Sequence, residues 1–291
     1  MTSPARTGSL TAAQSGVVCA TAGRLQRDMR ERAAAYPALF DAKPFDAALY
    51  STVSLAMAFS GPLMPARELG TACRVTLWCF GLDWLVDYVA TSREEVDDVV
   101  RRCLPVAEGG PPVPGDDLTR FLADLRDDLA GAPAFAGLRE VWLDELRRML
   151  AGMTREWEWK TASAKPSLDE YLANADNLGF SFVLASHWIA TGEPPGDEVA
   201  RVREASWAVQ RVIRLLNDVA SYERDLSWGD LNALMLVSRE DLERRLTTLA
   251  AEARELLGPL REDQPRLADY MERQMDFCAG FYQVTDYWGT L

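Results

Sequence analysis

The chain has 291 residues, with 31 Lys and Arg against 44 Asp and Glu, a formal net charge of −13. Hydrophobic residues make up 48% and charged residues 26%, an ordinary globular balance, and a chain of this length buries a sizeable core without disulfide staples. The acidity argues against nucleic acid as a partner, because binding its backbone needs clustered Lys and Arg. An acidic protein binds a phosphorylated ligand where divalent cations bridge the like charges.

The first 22 residues are small and polar, carry no apolar leader run, and are expected to be disordered; the expected location is cytoplasmic. No run of 18 apolar residues follows, so no membrane span is expected. From Gly23 to Leu291 the pattern is one α-helical domain of roughly ten helices. Apolar residues recur at three- and four-residue spacing in Leu49–Phe59, Cys73–Val89, Leu118–Leu129, Leu138–Leu150, Tyr171–Ile189, Val202–Ala220, Leu242–Leu257 and Tyr270–Tyr287. Loops are expected at Gly109–Asp117, ending in an aspartate cap, at Thr191–Asp197 and at Gly258–Pro265. The five cysteines (Cys19, Cys73, Cys79, Cys103, Cys278) show no CxxC spacing and read as reduced thiols. His187 is the only histidine, so chemistry needing two imidazoles is excluded; beside Trp188 it reads as a core residue.

Two clusters carry chemistry. In Asn217-Asp218-Val219-Ala220-Ser221-Tyr222-Glu223-Arg224-Asp225, the residues Asn217, Ser221 and Asp225 fall about 40° apart on one helix face, with Arg224 and Arg214 at its borders. An amide, a hydroxyl and a carboxylate in a row offer oxygen ligands to a hard cation such as Mg²⁺, and neighbouring arginines can grip a phosphate. Upstream, Asp83 and Asp87 lie four residues apart on an otherwise apolar helix with Trp78, Phe80 and Trp84 nearby. Burying two like charges there calls for arginines, protons or a metal. A helix end turning polar accounts for the first cluster equally well, and a structural salt bridge for either aspartate.

Together the clusters resemble the class I terpene cyclase (terpene synthase) family, and within it small actinobacterial diterpene synthases. The family's metal triad is Asn-Asp-(aliphatic)-x-Ser-x-x-x-Glu with Lys or Arg before the acid; here Asp225 stands for Glu, and Asn232 fits the usual continuation. Asp83 and Asp87 fit the first and last positions of its aspartate-rich motif, with Trp84 in place of the second aspartate. Glu156–Leu172 looks like its tryptophan-rich helix and the Pro-Ser-(Leu)-x-Glu-Tyr-Leu stretch that follows. Two departures stand out. No arginine follows Tyr171-Leu172 in Ala173–Gly179, although Gly179 fits the helix-break effector position. Near the C-terminus, Asp286-Tyr287 replaces the family's Arg-Tyr pair. Arg224, helped by Arg214 and Tyr287, is therefore expected to carry diphosphate recognition.

The resemblance implies a helical bundle around a central apolar cavity and Mg²⁺ ions, a trinuclear cluster, held by Asp83, Asp87, Asn217, Ser221 and Asp225 with a prenyl diphosphate substrate. Ionisation then leaves an allylic cation that aromatic faces stabilise; Phe59, Trp78, Phe80, Trp84, Phe180, Trp188, Tyr282 and Trp288 are the candidates. Geranylgeranyl diphosphate is the first substrate expected, then a precyclised copalyl-type diphosphate or farnesyl diphosphate. The competing readings are a catalytically silent helical protein binding a prenyl ligand or partner, and a prenyl-condensing enzyme using Asp124/Asp128 as a second aspartate pair. The resemblance also admits a homodimer.

Overall fold

Thr11 opens the first helix with a reciprocal cap: its side chain accepts from the Gln14 N–H while the Gln14 side chain accepts from the Thr11 N–H. The computed structural model describes residues 10–162, 165–192 and 198–289, and among them the chain forms twelve α-helices and no strand. In order these are α1 (Ala12–Ala33), α2 (Pro37–Phe40), α3 (Ala47–Ser60), α4 (Ala66–Asp83), α5 (Arg93–Ala107) and α6 (Asp117–Ala130). Then follow α7 (Phe135–Thr161), α8 (Leu168–Ala173), α9 (Phe180–Thr191), α10 (Val199–Trp228), α11 (Arg239–Asp263) and α12 (Pro265–Phe281).

Several expected boundaries move. Residues 12–22 are helical, not disordered, because Val18, Ala22, Leu25 and Met29 form a buried ladder against α3 and α4. The expected loop at Gly258–Pro265 is mostly helix: α11 runs through Pro259 to Asp263, anchored by buried Leu257 and Leu260. The break falls one residue later, where Pro265 starts α12 and needs no N–H partner. The Gly109–Asp117 loop forms as expected, with Asp116 accepting from Leu118 N–H and Thr119 N–H. Of the Thr191–Asp197 loop, residues 193–197 lie outside the described residues.

Two expected helices are interrupted. Tyr171–Ile189 divides into α8, a 3-10 turn (Ala175–Leu178) and α9, separated by Gly179 at φ +75°. Only glycine adopts that conformation cheaply, and a Cβ there would stand 2.9 Å from Met149 Sδ. Cys73–Val89 is straight α-helix only to Asp83; Trp84–Val89 widens into a π-helical turn closed by Ala90 N–H donating to Leu85 C=O at 2.9 Å.

The bundle is built around α9, buried from Ser181 to Ile189 on every face and packed on α4, α7 and α10. Trp142 Nε1 donates to Ser186 Oγ at 3.0 Å, tying α7 to this central helix. α12 closes the remaining side against α3, α10 and α11. Among the described residues, no helix is long and apolar enough to cross a membrane. Asp124 and Asp128 stand in structural contacts: Tyr36 donates to Asp124 at 2.5 Å, and Arg32 and Arg74 each lie 3.9 Å from Asp128.

Candidate active site

The two sequence clusters meet. A cavity of about 180 Å³ lies between α3, α4, α7, α9, α10 and α12. Asp83 and Asp87 reach it from α4 and the π turn, and Asn217, Arg224 and Asp225 from α10. The interior beyond these groups is lined by apolar and aromatic side chains such as Met57, Phe80, Phe180, Val183 and Leu184. Charge is thus confined to one end of an otherwise apolar space.

The acids at this end are held in a state that calls for positive charge. Asp83 and Asp87 hydrogen-bond to each other. Burial pushes the carboxyl of each above the usual range, and for Asp87 the charges of Asp83 and Asp230 push it further. Trp288 Nε1 donates to Asp83 Oδ2 at 3.2 Å. Across the cavity Asp225 Oδ2 accepts from Ser221 Oγ at 2.6 Å and from Asn232 Nδ2 at 2.8 Å. Ser221 is turned to this carboxylate and is buried behind the wall. Tyr282 lies beside Asn217. The oxygen donors are those a hard cation takes, and buried neighbouring carboxyls whose anionic form is disfavoured are groups that a divalent cation would neutralise, so the residues fit Mg²⁺. Among the described residues no three His, Cys, Asp or Glu side chains converge on one point, so each helix presents only part of an ion's shell.

The two arginines differ. Arg224 Nη1 donates to Asp286 Oδ2, its Nη2 lies 3.3 Å from Asp225 Oδ1, and it lies over the Trp228 ring. It stands at the mouth between α10 and the C-terminal segment. Arg214 also reaches the cavity wall but is a strut. Its Nε donates to Tyr171 Oη at 2.8 Å and lies 3.2 Å from Asp218 Oδ1, and its Nη2 donates to Glu156 Oε1 at 2.7 Å. Burial, against the pull of Arg214, pushes the Asp218 carboxyl up to about 7.

Of the eight aromatic candidates, Phe80, Phe180, Tyr282 and Trp288 line the cavity, as does Tyr287, whose ring packs on Phe80 at 5.6 Å. The other four serve elsewhere. Trp78 is 0% exposed, and its Nε1 donates to Leu118 C=O at 3.0 Å. Phe59 stacks on Phe277, Trp84 stacks on Tyr88 at 4.0 Å, and Trp188 is packed in the core. Helical spacing places an aromatic on a face but does not say whether another helix covers that face. His187 is a core residue stacked on Tyr270 at 4.7 Å, and burial lowers its pKa to about 4.

Among the lining groups that the sequence did not single out are Glu156, Asp230 and Gln274. Glu156, bound by Arg214 and Asn177, sits in the tryptophan-rich stretch, where its contrast with neighbouring aromatics was the available signal. Asp230 pairs with Lys160 Nζ at 2.7 Å, and burial pushes its carboxyl up to about 6. Gln274 lines the interior from α12, and nothing local marked it.

An all-helical bundle with oxygen donors on two helices at one end of an apolar cavity has the class I terpene synthase fold. Residues 74–263 match the family model "Terpene synthase family 2, C-terminal metal binding", and the chain belongs to the terpene synthase family. It is 29% identical to the ent-pimara-9(11),15-diene synthase of a Streptomyces species over 274 residues, 90% of this chain and 91% of that one. To the rice ent-beyerene synthase KSL2 it is 32% identical over 124 residues, 41% of this chain and 15% of that one. Among solved structures it resembles 2-methylisoborneol synthase of Streptomyces coelicolor, in complex with Mg²⁺ and 2-fluoroneryl diphosphate. That match has a TM-score of 0.77 at 15% identity and covers 94% of each chain. The linalool/nerolidol synthase of Streptomyces clavuligerus, in complex with 2-fluorogeranyl diphosphate, gives 0.73 at 15% identity, covering 90% of this chain and 98% of that one.

Proposed function

We propose that the protein ionises a twenty-carbon prenyl diphosphate in the presence of Mg²⁺ and cyclises the resulting cation to a diterpene. The observation that carries this is the polarity of one cavity: carboxylates and an amide from α4, the π turn and α10 at its mouth, hydrocarbon and aromatic faces within. Asp83, Asp87, Asn217 and Asp225 would hold the Mg²⁺, with Ser221 supplying its hydroxyl after turning from Asp225. Bound Mg²⁺ neutralises the diphosphate and polarises its allylic C–O bond.

The chain's own residues supply the rest. Arg224 stands where a diphosphate arriving at Asp83 and Asp225 would meet a guanidinium, once Asp286 yields it. Tyr287 and Trp288 shield the mouth from water, Trp288 while holding Asp83 in place. Phe80 and Phe180 offer π faces to a cation without offering a nucleophile.

The twenty-carbon length is supported by relatives named for diterpene products, the ent-pimara-9(11),15-diene and ent-beyerene synthases. The same names favour a second reading, a precyclised copalyl-type diphosphate in place of linear geranylgeranyl diphosphate. Incubation with geranyl, farnesyl, geranylgeranyl and copalyl diphosphates, each with Mg²⁺ and with EDTA, followed by gas chromatography–mass spectrometry, decides among them. An EDTA-sensitive cyclic diterpene is expected from one of the two twenty-carbon substrates. Prenyl diphosphate binding without Mg²⁺-dependent product would identify a silent binding protein instead.

A further inference from the structure

Only three of the 31 basic residues are lysines, Lys43, Lys160 and Lys165, and one of them stands beside the cavity mouth. Lys160, in the last turn of α7, places its Nζ 2.7 Å from Asp230 Oδ1, and the two side chains are 22% and 17% exposed. Two hydrogen bonds put this pair next to Asp87 and Asp225. Asp230 lines the cavity, and its backbone N–H donates to the Asp225 carbonyl at 2.9 Å. Lys160 lies over the Trp157 ring at 5.2 Å, and Trp157 Nε1 donates at 2.9 Å to the carbonyl of Val86, the neighbour of Asp87 in the chain.

The two guanidiniums that line the cavity are already engaged. Arg214 is held by Glu156, Tyr171 and Asp218, and Arg224 by Asp286 and Asp225. Lys160 is held more loosely. Its ammonium has three N–H groups, and among the described residues its one hydrogen-bond acceptor is an Asp230 oxygen. A guanidinium would grip that carboxylate through two parallel bonds. An ammonium is a point charge on a flexible four-carbon stem and moves readily from one anion to another. The charge of Asp230 also pushes up the Asp87 carboxyl, so the pair lies within electrostatic reach of the mouth.

We propose that Lys160 is a further diphosphate-binding residue: when Mg²⁺ and a diphosphate occupy the mouth, its ammonium passes from Asp230 to a phosphate oxygen. This rests on the Mg²⁺-dependent reading above. The exchange breaks and forms only hydrogen bonds. Divalent charge at Asp87 compensates the Asp230 carboxylate that the ammonium leaves, so neither anion stands alone.

The test is a double-variant cycle, read by calorimetric titration of inorganic pyrophosphate into the full chain with Mg²⁺. Asp230→Asn removes the competing charge and is expected to tighten binding about threefold. Adding Lys160→Met to it, which keeps the stem but not the charge, should weaken binding about tenfold relative to Asp230→Asn alone, the effect of one charge-assisted hydrogen bond. With Asp230 already neutral, a lysine that serves only as its counter-ion gives equal constants in the two variants, and that result overturns the assignment. The parent supplies a second reading that depends on no variant folding. Acetylation of its lysines is followed by proteolysis and mass spectrometry, with Mg²⁺ alone and with Mg²⁺ and pyrophosphate. Lys160 is expected to slow by at least about threefold while Lys43 and Lys165 keep their rates, since an ammonium held by a diphosphate gives up its proton less readily than one held by a single carboxylate. An unchanged Lys160 rate likewise overturns the assignment. A parent that binds no pyrophosphate with Mg²⁺ overturns the cyclase reading itself, and this assignment with it.

Discussion

The carboxylate of Asp286 rests on the guanidinium of Arg224 at the cavity mouth, so the acid that replaces the family's arginine neutralises the cation best placed to meet a diphosphate. Burial raises the Asp286 carboxyl and Arg224 pulls it back, which is the balance of a pair held together across a partly dry mouth. The C-terminal segment makes two more contacts at the mouth, Trp288 on Asp83 and Tyr282 beside Asn217. Substrate must exchange these contacts for its own. Asp286→Asn is expected to tighten Mg²⁺-dependent binding of inorganic pyrophosphate by about threefold, and Arg224→Gln to weaken it by about tenfold or more, as lost charge-assisted hydrogen bonds do. Calorimetric titration reads both; an unchanged constant in Arg224→Gln removes the residue from diphosphate recognition.

Asn232 acts one step back from the site. It is fully buried, and its Nδ2 donates to both Asp225 Oδ2 and the Asp218 carbonyl at 2.8 Å. Asn232→Ala leaves Asp225 held by Ser221 and, through its other oxygen, by Arg224. The Mg²⁺ concentration for half-maximal activity is expected to rise by about 10–100-fold, the usual cost of losing a partner that orients a metal ligand. A rise confined to the KM for substrate would assign Asn232 to the diphosphate instead.

Gly179 tests the helix break. With φ +75° and only 2.9 Å from an ideal Cβ to Met149 Sδ, alanine there is strained in both backbone and packing. Gly179→Ala is expected to lose about 2–4 kcal/mol of stability, from about 1–2 kcal/mol of left-handed strain plus overpacking. Denaturant melts give the value, and a loss below about 0.5 kcal/mol would mean that the turn relaxes freely.

His187 sets an acid limit on stability. Its folded pKa is lowered to about 4 by burial, against 6.5 for the free side chain. Below pH 6.5 the unfolded chain therefore binds more protons than the folded one. This contribution is complete above pH 6.5 and is lost as pH falls toward 4, at about 1.4 kcal/mol per pH unit. The raised carboxyls at the mouth give the opposite slope, so the readout is a difference. Between pH 6.5 and 5, the parent should lose about 2 kcal/mol relative to His187→Phe. Parallel curves for the two proteins would show that the imidazole is protonated in place.

Local pattern was enough for much of this protein. Helical periodicity gave an all-α chain, and the four-residue spacing of Asn217, Ser221 and Asp225 put them on one face of what is indeed a single helix, α10. The same arithmetic paired Asp83 with Asp87, because both clusters are fixed by local backbone geometry. What the sequence left undecided depended on which face meets which. Trp78, Trp84 and Trp188 carry the same spacing as Phe80 and Phe180, yet only the last two reach the cavity, since the others are covered by α6, Tyr88 and the core. Arg214 and Arg224 flank the same motif, but Glu156, from α7, and Asp218 make one a strut, while Asp286, 62 residues on, holds the other at the mouth. The amide of Gln274 acquires its direction only because Ser60 of α3 lies against it, 214 residues away in the chain. Secondary structure and metal-ligand spacing are short-range consequences of the backbone, whereas burial and the direction of a dipole are set by neighbours that only the folded chain brings together.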